Sequence, residues 1–136
     1  MAAELHSIVR MIPSKLDILN QAEQHFASAR LMPTASTHFP NQVYCRIVAS
    51  AADLLTPEAR DCLHVLHERL RIIDESMDRL EERYNSITST HSVGQAVGAV
   101  SGAIRDLSEG LDLARSLAQS VLDKKPINVY QLTNGT

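Results

Sequence analysis

The chain has 136 residues, a formal net charge of −3 and an aromatic content of 4%, with no Trp. That length is enough for one core without disulfides or metal, and a near-neutral chain with no block of one sign lacks the footprint of a nucleic-acid or anionic-membrane binder. Ala, Leu, Arg and Glu favour helix where strands would want aromatic and β-branched residues, so the expected fold class is all-α.

The opening MAAELHSIVRM has neither a charged lead nor a long apolar core, so a secretion signal is not expected and the cytoplasm is the default address. The first helical stretch covers residues 2–32, with Leu5, Val9, Ile12, Leu16, Leu19, Phe26 and Ala29 recurring at three- and four-residue steps. Pro13 predicts a kink or split, because it removes a backbone donor and disfavours helix at Ile12. PTASTHFPNQ, residues 33–42, has two prolines and no apolar period and is predicted as a loop. A short helix over 43–55 follows, carrying Tyr44, Ile47, Val48, Ala51 and Leu55 on one side.

Thr56-Pro57-Glu58 is a helix start: a side-chain acceptor, a proline suited to the first helical position and an acid at the positive end of the dipole. From there Leu63, Leu66, Leu70, Ile73, Met77, Leu80 and Tyr84 step by three and four as a heptad seam, which predicts a helix over 57–89. The hydroxyl-rich SITSTHS interrupts the pattern. A second seam then runs through Val97, Val100, Ile104, Leu107, Leu111, Ala114 and Ala118, giving a helix over 93–124 that ends at Lys124-Lys125-Pro126. Two seamed helices of similar length joined by a short turn predict an antiparallel hairpin. With the first two helices laid along it, residues 1–125 form one bundle of about four helices, and 126–136 form a C-terminal tail.

Each long helix has an apolar face wider than one neighbour covers. Cys62, Val65 and Ile72 stand off the first seam, and Leu113, Leu117 and Leu122 off the second. Gly94, Gly98 and Gly102 fall four apart beside the valine seam, where they permit close approach of another backbone, from the first or second helix or from another chain. This stretch also raises a membrane-interacting alternative through residues 93–104, although polar residues interrupt the run well short of the roughly 20 apolar residues that a span needs.

Candidate chemistry is sparse. His64 and His67 lie one turn apart with Glu68 adjacent, but zinc wants three or four ligands, so neither a metal nor a cofactor is expected. Cys45 and Cys62 form no CxxC and are expected as reduced core thiols. Arg60 and His67, seven apart on one helix face with Asp61 following the arginine, resemble the arginine-to-histidine motif of HEPN-type ribonucleases. The resemblance implies that Arg60 would hold an RNA phosphate and His67 would act as acid or base, in a helical bundle that works as a dimer. The leading expectation is different. Continuous seams, surplus apolar faces and no convergent polar site suit a non-enzymatic interaction module (an adaptor, regulator or assembly subunit) whose partner is another protein or a second copy in a homodimer, rather than nucleic acid or a membrane. Its expected surface comprises Cys62, Val65, Ile72, Gly94, Gly98, Gly102, Leu113 and Leu117.

Overall fold

The computed structural model describes residues 2–26, 38–50, 56–89 and 93–125. Among these are four helices: α1 (Ala2–Phe26), α2 (Gln42–Ser50), α3 (Pro57–Ser89) and α4 (Val93–Leu122). The fold is an all-α helical bundle in which α4 packs against both α1 and α3.

Helix directions follow from side-chain pairings. Glu4 approaches His67, Lys15 meets Asp74, and the Tyr84 hydroxyl donates to the Ala22 carbonyl at 2.8 Å, so α1 and α3 run parallel. The Cys62 Sγ lies 3.7 Å from the Leu117 carbonyl and Ile73 packs beside Gly110, so α4 runs antiparallel to α3. The hairpin is therefore present, and α1 is the long helix that completes the core.

Every described seam position of α3 from Leu63 to Tyr84 is buried, as are Val100, Ile104, Leu107, Leu111, Ala114 and Ala118 of α4. α1 contributes Leu5, Ile8, Ile12, Leu19 and Ala22. With Lys15, these too step by three and four, whereas the expected Val9 and Leu16 are only half-buried. The break expected at Pro13 does not occur: α1 is one helix through it. An interior proline costs about 3 kcal/mol. Pro13 itself is exposed, and the buried Leu5, Ile8, Ile12 and Leu19 hold the helix on both sides of it. At about 1.5–3 kcal/mol for each large aliphatic chain, their burial exceeds the proline's cost.

The ends follow local chemistry. Thr56 Oγ1 accepts from the Ala59 amide at 3.2 Å and starts α3. α4 stops at Leu122, two residues earlier than expected, where Lys124 adopts φ 58°. There the Lys124 amide donates to Val121 and the Lys125 amide to Ser120, a Schellman closure. The expected continuations at 27–32 and 51–55, the turn at 90–92 and the tail at 126–136 lie outside the described residues.

Candidate functional site

Two features stand apart from the common core. The first is a groove of about 620 Å³ between α3 and α4. Along its middle it is lined by Val65, Arg69, Ile72 and Ser76 of α3, with His64 and Glu68 at their edge, and by Ala103, Asp106 and Gly110 of α4. Both sets step by four and three, so each is a second heptad row beside the core seam. Ile73 and Leu107, both buried, lie beneath them. Ile72 is 48% exposed and is the one exposed large hydrophobic among the described residues.

Both walls of the groove carry charged residues, Glu68 and Arg69 on α3 and Asp106 on α4. Arg69 stands on the α3 wall, its Nε buried without a hydrogen-bond partner. Asp106 is exposed on the α4 wall. Neither forms an ion pair with any described residue. Glu68 of the α3 wall is engaged by Arg71, which also reaches Glu75.

The second feature is a polar seam where the segment 38–44 crosses α1 and α3. Glu4 projects from the first turn of α1 and caps a different helix: the Val43 amide donates to its Oε2 at 2.9 Å and the Tyr44 amide to its Oε1 at 3.2 Å. A carboxylate at the start of α2 satisfies two orphan donors and meets the positive end of the helix dipole. Beneath it, the Tyr44 ring stacks on His67 with centroids 3.9 Å apart and planes 10° from parallel. His67 Nε2 lies 4.0 Å from Glu4 and has no hydrogen-bond partner. Burial lowers the imidazole pKa from 6.5 to about 4, against a smaller upward pull from the Glu4 charge.

Farther along α3, Asp74 accepts from the Phe39 amide at 3.0 Å and faces Lys15 Nζ at 3.8 Å. Lys15 is 1% exposed and places its ammonium 4.6 Å from the centre of the Phe39 ring. Burial lowers the Lys15 pKa, opposed by Asp74 and Asp78, and it raises the Asp74 pKa, opposed by the Phe39 hydrogen bond and the Lys15 charge. His38 closes the segment on Asp78 at an exposed 2.8 Å contact. The seam thus ties a connecting segment to the bundle through acids on α1 and α3.

The structure sorts the expected site residues. Val65 and Ile72 line the groove, and Leu113 is half-buried on α4. Cys62 and Leu117 are removed from the expected surface: both are fully buried in contact with each other, because the turn of α3 that carries Cys62 faces α4. Cys45 is exposed rather than a core thiol. Among the described residues, no other helix closes on Gly98 or Gly102. A Cβ added at Gly98 or Gly102 would meet nothing within 4 Å, whereas at Gly110 Ile73 lies at 3.6 Å. The surroundings of Gly94 lie outside the described residues.

Arg60 and His67 do not form an exposed pair: Arg60 is in solvent while His67 is 8% exposed and covered by Tyr44. His64 is exposed, its Nδ1 3.4 Å from the Tyr44 hydroxyl.

No family model, curated protein or solved structure matches the chain.

Among the described residues no group of His, Cys, Asp and Glu could hold a metal ion, and no helix is long and apolar enough to cross a membrane. Glu4, Lys15, Phe39 and Asp74 were missed in the sequence. The signal for Lys15 was its position on the α1 seam, where it interrupts an otherwise apolar heptad row.

Proposed function

We propose that this chain is a protein-interaction module without catalytic chemistry, acting as an adaptor, regulator or assembly subunit, and that the α3–α4 groove is its working surface. The observation that carries the proposal is Ile72, a large aliphatic side chain 48% exposed in the middle of an apolar-floored groove. Covering the remainder of that side chain is worth on the order of 1 kcal/mol, and the row-lined groove suits the ridge of an incoming helix. The carboxylates of the polar seam, Glu4 and Asp74, are already engaged in holding α2 and its leading segment, which fits a structural role for them.

The test is affinity capture with wild type, Ile72→Glu and Arg60→Ala side by side. A protein retained by wild type and Arg60→Ala but lost from Ile72→Glu is the expected result. Identical captured sets for all three, with helix content unchanged, refute the groove as the working surface.

A further inference from the structure

We infer that residues 38–50 form a strap that acid releases from α1 and α3 while the three long helices stay together, with His67 as the proton sensor beneath it. This device is independent of the groove between α3 and α4.

The strap is held differently from the bundle. Among the described residues, the buried polar or charged ones are Glu4, Lys15, His67 and Asp74. All four touch the strap. Glu4 accepts from the Val43 and Tyr44 amides, Lys15 approaches the Phe39 ring, His67 stacks on Tyr44, and Asp74 accepts from the Phe39 amide. The rest of the core is an apolar cluster shared by α1, α3 and α4, to which the strap adds Phe39 and part of Tyr44. A segment tied down mainly by polar contacts opens more readily than one locked by apolar packing.

The strap itself creates the burial that makes His67 sensitive. Tyr44 covers the imidazole, so lifting α2 returns the ring to water, and the lifted form binds a proton that the closed form excludes. Between 6.5 for the open ring and about 4 for the covered one, falling pH favours lifting. Above pH 6.5 the ring is neutral in both forms, and the strap stays closed for as long as α1 and α3 lie together.

The groups around His67 modulate this without reversing it. Glu4 of α1, 4.0 Å from Nε2, favours the proton in the closed form, but burial outweighs it. On α3, His64 meets the Tyr44 hydroxyl at 3.4 Å, and the Arg71 cation is shared between Glu68 and Glu75. His38 of the strap lines the same cavity as His67 and is held by Asp78. Asp74 acts the other way: burial raises its carboxyl, so acid favours the closed strap at the Phe39 end.

Amide exchange in sub-denaturing urea tests the assignment. An opening confined to the strap exposes little surface and depends weakly on urea, whereas unfolding of the whole bundle depends on it steeply. At pH 5 the α2 amides are expected to exchange through a weakly urea-dependent opening, ahead of the α3 amides between Leu63 and Tyr84. The protection of α2 in His67→Phe relative to wild type should rise about twentyfold from pH 7 to pH 5, the factor set by titration at 6.5 when open and about 4 when closed. Asp74 is common to both proteins and drops out of that ratio. His67→Leu should give the same ratio and serves if phenylalanine disturbs folding. Exchange of α2 amides with the steep urea dependence of α3 overturns the strap, and a ratio flat with pH overturns His67 as its sensor.

Discussion

Lowering the pH from about 7 to about 4.5 asks the His67 imidazole to take up a proton in a place that does not solvate it. In the unfolded chain the ring titrates near 6.5, whereas in the fold burial holds it at about 4. A depressed folded value means the contribution to stability is fully present above pH 6.5 and is lost as the pH falls through 6.5 towards 4. At 1.36 kcal/mol for each pH unit between the two values, the loss is on the order of 3 kcal/mol, most of it spent by about pH 4.5. Asp74 works in the opposite direction, since burial raises its carboxyl and favours the protonated form in acid. Comparison with His67→Phe isolates the imidazole: the variant keeps an aromatic ring under Tyr44 and removes the titration. Urea unfolding followed by circular dichroism at steps between pH 7.5 and pH 4.5 should show wild type losing about 2–3 kcal/mol more than the variant over that range. Parallel loss in both proteins would refute burial of His67 as the source of acid sensitivity.

The remaining predictions concern stability at neutral pH and share the same unfolding assay. Glu4→Ala removes the acceptor for the Val43 and Tyr44 amides and should cost about 1–2 kcal/mol, with loss of the α2 contribution to helix content; an unchanged midpoint would exclude the cap. Lys15→Met leaves the Asp74 carboxylate buried without its cation and should cost about 3 kcal/mol. Adding Asp74→Leu should recover part of that cost, since the residual penalty is then mainly the orphaned Phe39 amide; strictly additive losses would show that the pair is not coupled. Gly98→Ala should stabilise by about 0.8–1 kcal/mol, because the new methyl meets nothing and helix entropy improves, whereas destabilisation would reveal a close neighbour.

How legible the fold was depended on what occupied each seam. In α3 and α4 every seam position from Leu63 to Tyr84 and from Val100 to Ala118 is apolar, so period alone identified both helices and the main faces they bury. In α1 the same spacing passes through Lys15 and Ala22, and the brighter residues Val9 and Leu16 lie just off it, which drew the expected face about one position aside. Pro13 marked a local cost correctly but said nothing of the tertiary contacts that outweigh it. The groove was half visible: Val65 and Ile72 were recognised as surplus, while Cys62 and Leu117, equally apolar and equally off the seam, turned inward. That distinction depends on the angle at which α4 meets α3, and period does not encode it. The polar seam was invisible because its partners are far apart in sequence, Glu4 with Val43 and Phe39 with Asp74.

The cap that Glu4 places on α2 sets an order of events during folding. Nine residues make a helix too short to persist in water without outside support. Its first amides find their acceptor only once α1 has formed and lies beside α3, where His67 receives the Tyr44 ring. α2 is thus a late passenger on a finished three-rod frame, and its amide protons, read by hydrogen exchange, report whether that frame is assembled.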